Sequence, residues 1–331
     1  MKIKVLFIER QASQFVSIEK VFRQVAGALP AEFESDFQQA PYSNDFISLL
    51  KNLVFFRPRK ADIYHVTGHI HYIAFLLPRQ RTVLTIHDLA FLYTRSGLRR
   101  YLLKKLLLDW PLRRLKYVTV VSDFTKREIL KYTRVEAGKI RVIENPLGSH
   151  LVSTKQIPFN AESPTILQIG TMENKNIPRL VRAIDGLACK LRIVGPLDES
   201  SRRAIAESNV DVENVEGLDD DTMAREYQNA EIVSFCSTYE GFGLPVIEAQ
   251  AMRTPVITSD ISPMREVAGD GAMLVDPFDV NSMRSGIERL IADSKLRETL
   301  IEKGIENAKR FATADIAGKY AGLYREMLEK D

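Results

Sequence analysis

A buried strand that runs straight into a glycine loop and then into a helix start leaves a chain few ways to fold, and residues 231–252 spell that order. Glu231-Ile232-Val233-Ser234-Phe235-Cys236 is a short apolar run with β-branched residues, the pattern of a parallel strand covered on both faces. It leads into Tyr239-Glu240-Gly241-Phe242-Gly243-Leu244. Pro245 then suits the first helical position, where its missing N–H costs nothing, and the helix can continue to Met252. This register predicts Glu248 in the first helical turn. The same alternation runs along the whole chain. Strands are predicted at 3–8, 62–66, 82–86, 117–122 and 139–144, and a second series starts at Thr165 with strands near 191–194, 210–215, 231–236, 255–258 and 272–275. Residues 145–164 carry glycine and proline without periodicity and read as a linker. For 331 residues, two domains is the ordinary expectation. The fold class is therefore α/β, with two doubly wound, Rossmann-like domains.

The glycine loop also suggests a ligand. Unpaired N–H groups at the helix start, with the amides of Phe242 and Gly243, form an anion site suited to a diphosphate, and glycine lets the backbone approach closely. Glu240 and Glu248 would repel a phosphate unless they faced other groups. Ionised carboxylates only accept hydrogen bonds, so sugar and ribose hydroxyls are natural partners. A nucleotide sugar satisfies both halves. Ligands of doubly wound sheets gather at the carboxyl ends of strands. Gly170, Lys175, Gly195, Glu240 and His87 all fall just after predicted strands, which points to one site shared by two facing domains.

The E-x7-E stretch resembles the C-terminal signature of retaining glycosyltransferases of the GT-B fold, specifically family 4. The resemblance extends to Ala251-Met252-Arg253-Thr254-Pro255-Val256-Ile257, to Ile166-Leu167-Gln168-Ile169-Gly170-Thr171 followed by Lys175-Asn176, and to Val83-Leu84-Thr85-Ile86-His87-Asp88. It thus spans nearly the whole chain. It implies an N-terminal acceptor-binding domain over 1–150, a nucleotide-sugar-binding domain over 151–312, and a C-terminal helix, 313–331, that crosses back to the first domain around a central cleft. It also implies a hexosyltransferase that keeps anomeric configuration and needs no metal or cofactor, the nucleotide-diphosphate sugar being a substrate. The acceptor it implies is a glycan or a lipid-linked sugar, as in polysaccharide biosynthesis.

Carried over residue by residue, the resemblance assigns His87, Glu240 and Lys175 to catalysis. Lys175 is the diphosphate cation, Glu240 lies near the donor sugar without serving as a covalent nucleophile, and His87 hydrogen-bonds a sugar hydroxyl or phosphate. Donor binding falls to Gly170, Thr171, Lys175, Gly195, Phe242, Gly243, Leu244 and Glu248, the last accepting from the ribose. Gly68 and His71 belong to the acceptor side, with Ser17 as a helix cap or contact. Two departures stand out. The family commonly has Arg where Thr171 stands, leaving Arg10 or another cation to compensate, and residues 11–20 replace its usual Gly-Gly loop.

Other readings are weaker. His65, His69 and His71 sit without a cysteine or acidic cluster, so metal binding is not expected. Asp219-Asp220-Asp221 precedes a helical pattern and reads as a cap. A nicotinamide fingerprint fails, since Val246 stands at the third-glycine position. A net charge of +3 gives no case for nucleic acid. Two cysteines, Cys189 and Cys236, and an apolar run near the N-terminus too short for a signal peptide or span suggest the cytoplasm. Residues 98–116 put seven basic residues among leucines beside the single Trp110. Both a peripheral membrane contact and a core helix with a solvated basic face, broken near Pro111, fit them. A non-catalytic subunit and a sugar-nucleotide epimerase on the same scaffold remain the alternatives to a transferase.

Overall fold

The computed structural model describes residues 2–11, 17–43, 46–148, 151 and 158–329. The chain divides into two compact units, one of residues 1–146 with 313–331 and one of residues 147–312. Each is built on a six-stranded, wholly parallel sheet.

In the first unit the strands are β1 (Ile3–Glu9), β2 (Phe33–Gln39), β3 (Ile63–Val66), β4 (Thr82–Ile86), β5 (Tyr117–Val120) and β6 (Ile140–Val142), ordered β2-β1-β3-β4-β5-β6. The inner strands are buried along their length, which is why their apolar runs are readable. β2 was not expected. Its sequence FESDFQQ is mostly polar because it is an edge strand that pairs only with β1 and keeps much of its length in contact with water. Phe37 fixes it to the core by stacking on Phe7 at 5.0 Å. The C-terminal helix Thr313–Glu329 belongs to this unit. Its Tyr324 hydroxyl lies 2.6 Å from Nδ1 of the buried His65, whose Nε2 lies 2.7 Å from Thr85 Oγ1.

The second sheet comprises β7 (Thr165–Ile169), β8 (Lys190–Val194), β9 (Asp211–Val215), β10 (Ile232–Phe235), β11 (Val256–Ser259) and β12 (Met273–Val275), ordered β12-β11-β10-β7-β8-β9. The chain moves outward from β7 to β9, then restarts on the other side of β7 with β10. The reversal leaves a crevice at the carboxyl ends of β7 and β10, where the connections diverge.

After the helix Leu244–Ala251 the chain turns through Arg253, held at φ 62°, with its Nε buried and without a partner among the described residues. A left-handed backbone costs a non-glycine residue about 1–2 kcal/mol, partly offset by the extra freedom glycine has when unfolded. Arg253→Gly is therefore expected to stabilise the protein by about 0.5–1 kcal/mol. A urea midpoint unchanged or lowered by the substitution would refute this.

Candidate active site

The candidates for donor binding lie within the second unit, mostly on the two loops that leave β7 and β10. Gly170 follows β7 at φ 79°, and a Cβ there would stand 3.0 Å from Lys175 Cε. Its bareness lets Lys175 fold back over the turn. Residues Glu173–Lys175 form one 3-10 turn, ended by Asn176 in a left-handed conformation that asparagine tolerates. The buried Asn176 Nδ2 donates to the Cys236 and Pro277 carbonyls at 3.0 and 2.7 Å. Thr238 N donates to the Asn174 carbonyl at 2.8 Å, while Asn174 Nδ2 donates to the Tyr239 carbonyl at 2.8 Å and to Glu240 Oε1 at 3.1 Å. The two loops are thereby laced into one surface.

Lys175 and Glu240 meet on that surface, Nζ to Oε1 at 2.6 Å, with the ammonium 4.4 Å from the centroid of Phe235. Both side chains keep only about 15% exposure (16% and 15%), so the pair is screened far less than a surface ion pair. Thr171 points elsewhere. Its Oγ1 donates to the Pro196 carbonyl at 2.5 Å, and a Cβ on Gly195, at φ 125°, would come within 3.3 Å of it. Thr171 thus holds the β8 turn in place. Arg10, the candidate replacement for the family's arginine, is paired in the first unit with Glu19 at 2.7 Å.

The helix Leu244–Ala251 begins one residue earlier than the sequence suggested, because Gly243 at φ 118° serves as its cap and Leu244 is already helical. Pro245 is then second, still among the N–H groups that lack helical partners. Glu248 accordingly lies just past the first turn, a correction to the predicted register. Phe242 is buried against Phe311, ring centroids 5.6 Å apart, so its backbone rather than its ring is available to a ligand. Glu248 is held by a residue that the sequence did not single out. Tyr227, fully buried in the helix Asp220–Asn229, donates its hydroxyl to Glu248 Oε2 at 2.5 Å, and Thr254 Oγ1 donates to the Tyr227 carbonyl at 2.8 Å. Burial, then the neighbouring Glu248 charge, raises the Tyr227 pKa well above its usual value, so the phenol stays a donor. Asp219 caps that helix by accepting from Thr222 N at 2.8 Å. Tyr227→Phe is expected to weaken nucleotide binding about tenfold, as befits one charge-assisted hydrogen bond. Calorimetry giving equal affinities would count against the buttress.

The remaining candidates lie in the first unit. His87 follows β4, and because a carbonyl can only accept, its Nε2–H donates to the Thr67 carbonyl at 2.9 Å. Burial, then His69, lowers its pKa to about 4, so the ring is neutral at pH 7 with Nδ1 as the acceptor nitrogen. His69 stands between, its ring 6.3 Å from His87 and 6.1 Å from His71, with Nε2 3.6 Å from Asp88 Oδ2. Gly68 packs on Arg10, at distances that would admit a Cβ. His71 is corrected: it is 1% exposed and donates Nδ1–H to the Leu107 carbonyl at 2.6 Å. Its neighbours Ile70 and Tyr72 are core residues, so His71 braces the interior rather than lining an acceptor surface. Ser17 opens the helix Ser17–Gly27, and its side chain lies outside the described residues. Among the described residues no three His, Cys, Asp or Glu side chains converge as metal ligands.

Residues 98–116 divide between the core and the surface. Leu108, Leu112 and Leu115 are buried, whereas the helix Gly97–Lys104 buries none of its residues and Trp110 is 47% exposed. The run does not break at Pro111. A π-turn over Lys105–Asp109 absorbs the missing N–H, and Pro111 sits inside the short helix Trp110–Arg114. No described helix is long and apolar enough to cross a membrane.

Known proteins resemble this chain in sequence and in fold. Residues 152–307 match the family described as Glycosyl transferases group 1, and residues 8–147 match Glycosyltransferase Family 4. O-antigen chain mannosyltransferase B of Escherichia coli is 30% identical over 298 residues, 81% of this chain and 75% of that one. O-antigen chain mannosyltransferase RfbU of Salmonella typhimurium is 30% identical over 228 residues, covering 65% and 62% of the two chains. Among solved structures, sucrose-phosphate synthase from Thermosynechococcus elongatus superimposes with a TM-score of 0.81 at 20% identity over 100% of both chains. Anabaena HepE, in complex with UDP and glucose, gives 0.77 at 14% identity over 98% of this chain and 100% of that one. The structural likenesses establish the GT-B fold, and with the sequence matches they show that the chain belongs to the group 1 glycosyltransferases, in family 4.

Proposed function

We propose that this glycosyltransferase is a retaining, metal-independent hexosyltransferase that takes a hexose from a UDP- or GDP-sugar and adds it to a glycan or lipid-linked acceptor in polysaccharide biosynthesis. The observation that carries the reading is the Lys175–Glu240 pair at the strand-order reversal of the second sheet, with Glu248 fixed by Tyr227 on the helix that follows the same loop. A cation, bare backbone amides and two acceptor-only carboxylates are what a diphosphate carrying a ribose and a sugar requires. The mannosyltransferase names of the two relatives favour mannose among the hexoses.

In this reading the bond between the anomeric carbon and the diphosphate breaks, and its electron pair leaves with the phosphate oxygen. Lys175 and the loop amides stabilise that growing charge. The acceptor oxygen bonds to the anomeric carbon on the same face through an oxocarbenium-like state, and its proton passes to the departing phosphate oxygen. Glu240 accepts from the donor sugar, and the neutral His87 offers Nδ1 to a hydroxyl. The acceptor would be met in the cytoplasm at a membrane surface touched by residues 98–116.

The test is calorimetric binding of UDP, GDP, ADP and their common sugars to wild type and Glu248→Ala. Selective binding of one base, weakened at least about tenfold by the loss of the ribose acceptor, is the expected result. A folded wild type that binds none of them would sink the reading and favour a non-catalytic subunit.

A further inference from the structure

The helix Phe46–Phe55, FISLLKNLVF, turns a mostly apolar outer face to solvent, with Lys51 as its one exposed charge. Its inner side, with Leu49 and Asn52, is buried, and Asn52 Nδ2 donates to the Tyr72 hydroxyl at 2.9 Å. Its outer side carries Ile47, Leu50, Val54 and Phe55, exposed by 64%, 49%, 57% and 61%. A helix at a protein surface ordinarily turns a charged face outward, and one with four large apolar side chains beside a single lysine is ordinarily covered. Contiguous exposed apolar side chains of this size mark a surface that something covers.

The charge around the stripe indicates what. Residues 46–61 contain four basic residues and no acidic one, and residues 95–116 contain eight basic residues and one acidic one, Asp109. Lys104 and Lys105 share that carboxylate, each at 2.8 Å, which leaves the excess of positive charge in place. The second segment also exposes Leu98, Tyr101, Leu102 and Trp110. Both segments rest on one short support, the 3-10 helix His71–Leu76. Tyr72 holds the Phe46–Phe55 helix through Asn52, His71 holds the π-turn through Leu107, and Phe75 meets the Trp110 ring edge to face at 6.4 Å. A common support makes the two segments parts of one module.

We propose that the helix Phe46–Phe55 is a membrane-insertion element, entering the headgroup region of an anionic bilayer while the arginines and lysines of 95–116 attract the surface. This rests on the reading that residues 98–116 touch a membrane, and adds to it the element that supplies apolar anchorage. Attraction between basic side chains and anionic headgroups is long-ranged and screened by salt, whereas insertion of apolar side chains is not. The two contributions are therefore separable by experiment.

The full chain is sedimented with vesicles of phosphatidylcholine alone and of phosphatidylcholine with an equal part of phosphatidylglycerol, at low and high salt. Wild type is expected to bind the anionic vesicles and to retain part of that binding at high salt. Leu50→Ser/Val54→Ser/Phe55→Ser changes only exposed side chains. It should bind at least about tenfold less and lose what remains at high salt, with nucleotide affinity unchanged. Arg99→Ala/Arg100→Ala should lose the preference for phosphatidylglycerol. A serine variant that binds as wild type does, beside an arginine variant that does not, would overturn the insertion element and leave the reading of 98–116 intact. Wild type binding neither vesicle would overturn both. A wild type that ignores vesicles but self-associates, with the serine variant monomeric, would assign the stripe to a contact between copies and overturn the inference.

Discussion

Lowering the pH from 7 to 5 should cost the first unit about 5–6 kcal/mol of stability, enough to unfold many domains of ordinary stability. The cause is three histidines buried without charge. Burial, followed by the nearby His87 ring, pushes His65 down to about 3. Burial, followed by His69, pushes His71 to about 3 and His87 to about 4. In the unfolded chain each returns to about 6.5. The stability from each is present above that value and is lost as pH falls towards the folded pKa, because only the unfolded state takes up the proton. Each histidine contributes about 2 kcal/mol to the loss at pH 5.

Glu9 opposes the trend, since its burial raises its pKa and favours proton uptake by the folded state, but it accounts for one proton against three. Trp110, the only tryptophan, lies in the first unit and reports its unfolding by fluorescence. The check is a series of denaturant titrations between pH 7 and 5. His71→Asn keeps a donor for the Leu107 carbonyl and cannot titrate, so it should reduce the pH slope by about a third. A wild-type midpoint that does not move across this range would exclude the buried neutral histidines.

These histidines also mark how far a sequence can be read. The inner strands were legible because a parallel strand covered on both faces must be apolar throughout, as in Ile232–Phe235. β2 was not, since an edge strand has no such requirement. The helix Phe46–Phe55 carries apolar side chains on both its inner and outer sides, with Lys51 the one exposed charge, so it lacks the one-sided pattern by which a surface helix is recognised. At the site, Lys175, Glu240 and Glu248 were legible as residue types in order, whereas their pairing was not. Tyr227 left no local signal. It sits 21 positions before Glu248 in a different helix, and only the packing of that helix against the sheet turns its hydroxyl to the carboxylate. His71 was placed on the acceptor side by the family resemblance, and its burial is a tertiary fact.

The second large effect concerns Lys175. Replacing it with Ala should reduce kcat by about 10²–10³, the loss typical when one group aimed at developing charge is removed. The argument rests on where the charge appears. In the proposed reaction the diphosphate is already anionic in the bound donor, so Lys175 would help binding, but the bridging oxygen gains further charge only as the anomeric bond breaks. An interaction that strengthens along that path acts on kcat more than on affinity. The geometry prepares it for this. Glu240 at 2.6 Å, the Phe235 face and the bare Cα of Gly170 fix the ammonium in one place, so little reorganisation accompanies bond breaking. Lys175→Arg keeps the charge but spreads it over a longer, planar fork, and should recover only part of the rate. Steady-state turnover of the donor identified by calorimetry, with KM and kcat measured separately, decides the matter. A Lys175→Ala enzyme with raised KM and unchanged kcat would mean that the lysine only binds the diphosphate, and that charge stabilisation in the transition state comes from the amides at Gly243 and the helix start.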